Sequence, residues 1–334
     1  MKMLAAKLFG ILFTLSMIGC ADAQQGVLPI RQVDEIALTG NATRLDYQSF
    51  DSVTGRLYIA HLGDSMVTVF DTKTKKIVGD IRELKNVHGV LAVPELGRVY
   101  ASATGTNELA VIDDRTLQVI ARIPVGEYPD GIAYASKEKK LYVSNKNGRS
   151  DTVIDAVTNK AIGSVEVGGQ AGNSQYDPAS DRVYVAVHKI NSIVEIDPRT
   201  DRVVGTYPLT GCKDSHGLLI DSKEEVAFAA CESNATLAMF DLKLKKLISI
   251  YQVGDDPDVL AFDAVLRRLY VSAESGVVTI LEEKDRRLTQ LGRARLAAGA
   301  HTVAVDDQTH AVYFPLENVG GKPVLKTYLP TDQP

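Results

Sequence analysis

Tryptophan is absent from this chain of 334 residues, and aromatic side chains make up only 6% of it. The missing Trp excludes repeats of the Trp-Asp type. Also missing are the short signatures of common enzymes: there is no Gly-x-Ser-x-Gly elbow, no His-Glu-x-x-His, no Cys-x-x-Cys and no phosphate loop. Positive charge is not in excess either. The formal net charge is −5, which speaks against a nucleic-acid partner. Beyond residue 23 no run is long and apolar enough to insert into a bilayer.

What the first 23 residues do contain is Lys2, Lys7, an apolar run from Leu8 to Ile18 and then small residues, the layout of an export signal. Two cleavage readings stand side by side. Ala21-Asp22-Ala23 before Gln24 suits ordinary signal peptidase, whereas Ile18-Gly19-Cys20 resembles a lipobox with Cys20 as the lipidation candidate, although Met17 stands where Leu is usual. The expected location is the periplasm, soluble or lipid-anchored, and membrane attachment would come only through that lipid. Cleavage before Gln24 removes Lys2, Lys7 and Asp22 and takes the net charge to −6.

Cysteine is scarce, with three in all. Once Cys20 is set aside, Cys212 and Cys231 form an even pair in a compartment where disulfides persist, so a bridge is expected. It would close a loop of roughly 20 residues, worth about 3 kcal/mol in a chain-entropy account.

The mature chain is dominated by a repeat. An apolar-Tyr strand recurs as Leu57-Tyr58, Val99-Tyr100, Leu141-Tyr142, Val183-Tyr184, Val226-Ala227, Leu269-Tyr270 and Val312-Tyr313, at steps of 42 or 43 residues. A later strand in each unit ends in Asp, as at Asp71, Asp113, Asp155, Asp197 and Asp241. These aspartates open turns, where a carboxylate accepts backbone N–H groups. Four short strands per unit, in period-2 patterning, predict an all-β fold: a seven-bladed β-propeller of four-stranded blades. The seventh unit has only three strands, and Arg31–Leu38 is expected to supply the fourth and close the ring, removing a sheet edge. The expected organisation is a signal peptide over 1–23, a short linker over 24–30, one propeller over 31–330 and a tail over 331–334.

These repeats, and Leu141-Tyr142-Val143-Ser144-Asn145 in particular, resemble the YVTN-type propeller family, often called YncE-like. The resemblance covers roughly residues 31–330 and implies an exported periplasmic or surface propeller. It implies no single reaction, because one fold hosts many functions.

In a propeller the start of each innermost strand lies at the channel mouth. Counting twelve residues back from the Tyr ruler gives His88, Asp130, Gly172, Asp258 and His301, with His216 eleven before Ala227 and Arg44 as the nearest polar counterpart in the first unit. A second set follows the Tyr strands: His61, Asn145, His188, Glu232, Glu274 and Glu317. His88, His216 and His301 are candidate ligands for a divalent metal, zinc by the three-histidine pattern, or Ca²⁺ or Mn²⁺ with the carboxylates. Asp258 and Glu274 are the candidate general bases. The plain alternative is a hydrated polar funnel, and His310 falls in a turn on the opposite face. The sequence favours a monomeric propeller that binds a small ligand, ion or protein partner at the channel mouth, with no defined catalysis. The alternative is a metal-dependent hydrolase, lactonase or lyase built on the histidine cluster.

Overall fold

The computed structural model describes residues 26–332, so the export signal, both cleavage readings and Cys20 lie outside the described residues. Seven four-stranded antiparallel sheets make up the fold. Blades 1 to 6 each use four consecutive strands and span Gln48–Ile81, Val87–Pro124, Pro129–Glu166, Ala171–Pro208, Ser215–Gln252 and Pro257–Arg295. Blade 7 takes three strands from Ala304–Pro330, and its outermost strand is Ile30–Ala37, which runs antiparallel to Lys322–Pro330 with Ile30 opposite Pro330. The ring is closed as the missing seventh-unit strand required. The first strands of neighbouring blades touch all the way round, blade 7 to blade 1 included, so they form the channel wall.

Each blade buries both faces of its central strands against its neighbours. Seven apolar clusters result, one for each blade interface. Tyr58, Tyr100, Tyr142, Tyr184 and Tyr270 are fully buried in them. The fifth blade corrects the ruler. Its second strand, Val226–Cys231, has Phe228 at the third place, where the other second strands have Tyr, and Phe228 pairs with Leu219 as Tyr142 pairs with Ala133. Ala227 faces the other interface, toward blade 4. Short Ala side chains around Phe228 had masked it in the repeat.

The third-strand aspartates are turn residues. Asp71 accepts the N–H groups of Lys73 and Thr74, Asp155 those of Val157 and Thr158, and Asp241 those of Lys243 and Leu244, at 2.7–3.0 Å. Among the described residues no helix is long and apolar enough to cross a membrane.

Cys212 and Cys231 are bridged, with Cα atoms 5.3 Å apart. Cys212 lies in the loop entering blade 5 and Cys231 ends that blade's second strand, so the bridge ties the two segments that carry His216 and Glu232. Replacing Cys231 by Ala is expected to lower unfolding stability by about 3 kcal/mol in urea titrations, and reductant should shift the wild type to the same midpoint while leaving the variant unmoved.

Candidate functional site

Counting from Phe228 puts His216 twelve residues back, in line with the rest, and counting twelve back from Tyr58 reaches Asp46. One position per blade then faces the axis: Asp46, His88, Asp130, Gly172, His216, Asp258 and His301 in blade order. The backbone explains why these side chains converge. In blades 2 to 6 the pairing of first and second strands slips between Val87 and Val90, Pro129 and Ile132, Ala171 and Ser174, Ser215 and Leu218, and Pro257 and Leu260, and each slip contains the ring residue. A bulge of this kind re-aims a side chain away from the sheet normal. Glycine after the ring residue lets neighbouring wall strands close up: a Cβ on Gly217 would stand 1.9 Å from the Asp258 carbonyl oxygen, and one on Gly89 2.0 Å from that of Asp130.

The result is a cavity of about 170 Å³ at the channel mouth. Its lining holds six carboxylates (Asp46, Asp130, Glu232, Asp256, Asp258 and Glu274) against two permanent cations, Arg44 and Lys146. His88, His216, Tyr47 and Tyr128 complete it. Asp46 and Asp130 are each 2% exposed and Asp258 is 6%. Oδ1 of Asp130 and Oδ1 of Asp258 have no hydrogen-bond partner in the protein. Buried anions without partners are costly, and the carboxyls respond by holding their protons. Burial, against the pull of His88 and Arg44, pushes Asp46 up to about 6. Burial likewise raises Asp130, brings Glu232 to about 7, and with the neighbouring Asp46 and Glu274 lifts Asp258 well above the carboxylate range. Glu274 goes the other way: burial would raise it, but the Arg44 hydrogen bond at 2.7 Å and the charges of His301 and Arg44 together outweigh burial and lower it.

The histidines divide. His216 Nδ1 lies 2.8 Å from His188 Nε2, and its Nε2 is 3.1 Å from the Tyr47 hydroxyl, 3.6 Å from Asp258 Oδ1 and 3.9 Å from Asp130 Oδ2. His88 donates through Nδ1 to the Asn86 carbonyl at 3.0 Å, and its Nε2 lies 3.1 Å from the Tyr128 hydroxyl. His301 is fully buried with neither ring nitrogen hydrogen-bonded, and its Nδ1 is 3.7 Å from Glu274 Oε2. Burial, the leading cause each time, takes His188 and His301 down to about 4 and His216 well below its ordinary value, so the three rings are neutral at pH 7.

The expected trio of His88, His216 and His301 is therefore spread over the ring. Two other groups bring three ligand atoms within 4.8 Å of one another: His188, His216 and Glu232, and Asp258, Glu274 and His301. Arg44 lines the mouth and bridges Asp46 at 3.3 Å and Glu274 at 2.7 Å, and it is Asp46, two residues on, that holds the ring position. Glu317 is half-buried beside Gly299 and is not part of the lining. His61 bonds Thr43 at 3.0 Å and Asn145 bonds Ser150 and Thr152 within its own blade, both outside the lining. His310 pairs with the buried Asp263 at 2.8 Å, a contact between blade turns. Residues not foreseen are Asp46, Lys146, Tyr47, Tyr128 and Asp256. Lys146 was within reach of the counting, since it stands four after Tyr142 as Glu232 stands four after Phe228.

Among solved structures the fold is similar to Kuenenia stuttgartiensis hydrazine synthase, with a TM-score of 0.74, 16% identity, and coverage of 88% of this chain and 97% of that one. It is equally similar to U3-55K, with a TM-score of 0.74, 10% identity, and coverage of 88% and 98%. At such identities the likeness establishes the propeller and nothing of the chemistry. No family description and no curated protein sequence matches the chain.

Asp258 gives a signed test. Its carboxyl binds a proton more tightly folded than unfolded, so its contribution to stability is complete below pH 3.8 and drains away as pH rises toward the folded value. Asp258→Asn is expected to stabilise the ligand-free protein by on the order of 1–3 kcal/mol at pH 8, with the gain vanishing near pH 4. Asp151 is the control: it lies outside the lining, accepts from Ser174 at 2.6 Å, and is pushed by burial up to about 7. Asp151→Asn should give a similar pH-dependent gain in thermal or chemical denaturation.

Proposed function

We propose that this protein is an exported binding propeller whose channel mouth takes up a cation, either a divalent metal ion or the ammonium group of a small ligand. The observation that carries the reading is the set of partnerless buried carboxylate oxygens, from Asp130 and Asp258, facing one cavity where acids outnumber permanent cations six to two. A cation there would take the place of the protons that burial makes these carboxyls hold, and would pair with the negative charge so released. The propeller is consistent with such a role, since a rigid ring holds groups from many blades around one point.

The remaining parts of the reading have separate supports. The Cys212–Cys231 bridge fits an oxidising compartment, and the leader-like first 23 residues fit export. The Tyr repeat supports membership of the YVTN-type family. Binding is preferred to turnover because no nucleophile motif accompanies the cavity and because Glu274, one of the two candidate bases, is tied to Arg44.

Calorimetric titration of chelator-treated protein with Ca²⁺, Mn²⁺, Zn²⁺ and choline tests the reading. Binding of at least one of these at one per chain, weakened by at least about tenfold in Asp130→Asn and in Asp258→Asn, is the expected result. Absence of binding by all four, or binding indifferent to both substitutions, would contradict it. Export is checked by the intact mass of protein recovered from the cell envelope, which should begin at Gln24 or at a lipidated Cys20 rather than at Met1.

A further inference from the structure

We infer that His188, His216 and Glu232 form a centre for a transition-metal ion of the zinc type, on the side of the mouth between blades 4 and 5. The inference rests on the cation-binding reading above and narrows it to three ligand atoms. The spacing is the first argument. His188 Nε2 and His216 Nδ1 are 2.8 Å apart, His216 Nδ1 and Glu232 Oε1 are 3.8 Å apart, as are His188 Nδ1 and Glu232 Oε2, and each residue offers one ligand atom within 4.8 Å of those of the other two. Ligands at about 2.0–2.1 Å from a tetrahedral ion stand roughly 3.3 Å from each other, between those two separations. Two imidazole nitrogens and one carboxylate are a donor set that suits zinc or cobalt better than calcium, which takes oxygen.

The surroundings supply what a metal-bound imidazole needs. A coordinating histidine uses its second nitrogen to donate to a carboxylate or hydroxyl. His216, ligating through Nδ1, presents Nε2 to the Tyr47 hydroxyl at 3.1 Å and to Asp258 Oδ1 at 3.6 Å, and that buried carboxylate oxygen has no hydrogen-bond partner in the protein. Gly172 brings the two blades close: the ring position of blade 4 carries no side chain, and a Cβ there would stand 2.7 Å from the His216 carbonyl oxygen. The disulfide then holds both sides of the centre, since Cys231 directly precedes Glu232 and Cys212 lies four residues before His216.

The second histidine-carboxylate group, Asp258, Glu274 and His301, is a poorer centre because a guanidinium already occupies one of its carboxylates, Arg44 Nη2 lying 2.7 Å from Glu274 Oε1. Glu232 is not occupied in that way: among the described residues it makes no ion pair with a lysine or arginine and Lys146 makes none with a carboxylate, although the Lys146 charge acts on Glu232 across the same cavity. Lys146 is thus available to an anion or water completing the coordination of an ion with only three protein ligands.

The test is titration of chelator-treated protein with Co²⁺ and Zn²⁺ at pH 7.5, with X-ray absorption on the zinc form. The structure predicts visible Co²⁺ bands at one ion per chain, two imidazole nitrogens in the zinc shell, and a fall in Zn²⁺ affinity of at least roughly 100-fold in His188→Gln and in Glu232→Gln. Thermal melts of both variants establish that they are folded, and the absorption spectrum of the wild type needs no variant at all. A zinc shell without two imidazoles, or affinity unchanged in both variants, overturns the centre. If Ca²⁺ or choline still binds and depends on Asp130 and Asp258, the mouth reading survives that result. If no cation binds, both fall.

Discussion

The antiparallel pairing of Ile30–Ala37 with Lys322–Pro330 joins the first and last described strands within one blade and holds the ring around the channel closed. Every blade is buried on both sides by its neighbours, so an open ring would leave an apolar face and a sheet edge exposed. Closure fixes the number of blades around the axis, and that number fixes how far apart equivalent positions stand. The chemistry at the mouth is therefore a consequence of repeat number as much as of residue identity. One side chain per blade is offered to the axis, and what the chain places at those seven positions determines the site.

The occupants are in electrostatic tension. Three of the seven positions are aspartates that are almost wholly buried, and more carboxylates follow in the loops just above. Glycines at 89 and 217 let the wall strands approach until nothing larger fits, which keeps these groups close. Arg44 relieves part of the charge, pairing with Asp46 and Glu274 and so spanning blades 1 and 6. Asp130 and Asp258 receive no such partner. A fold that stabilises itself through seven apolar interfaces can tolerate that cost, and a site that is unfavourable when empty is one that gains by filling.

The architecture was legible because it depends on repeated burial. Tyr or Phe at one register position, Asp at a turn and small residues between recur often enough to define seven units and the strand that completes the last. The site was only partly legible. In blade 5 the ruler residue is Phe228 and not Ala227, which brings His216 into step, and in blade 1 the count from Tyr58 reaches Asp46, two residues beyond Arg44. In blade 3 the lining residue is Lys146, one place beyond Asn145. Other features lack a repeated residue type: Tyr47 and Tyr128 reach the histidines from loops, and the position two before the ring residue that holds Tyr128 is Asn, Asp and Asp at 86, 214 and 256. The trio of His88, His216 and His301 failed to cluster because blades 2, 5 and 7 are not neighbours in the ring, except across the axis. His188 meets His216 because their blades adjoin and Gly172 lets the wall strands approach closely.

The most direct measurement of the central claim is a crystal of the protein grown with Zn²⁺ and measured on both sides of the zinc absorption edge. The account predicts an anomalous peak inside the channel mouth, bounded by His188, His216 and Glu232, with Asp130 and Asp258 behind His216. A map with no peak in the mouth, from crystals that show bound zinc elsewhere or none at all, would contradict it.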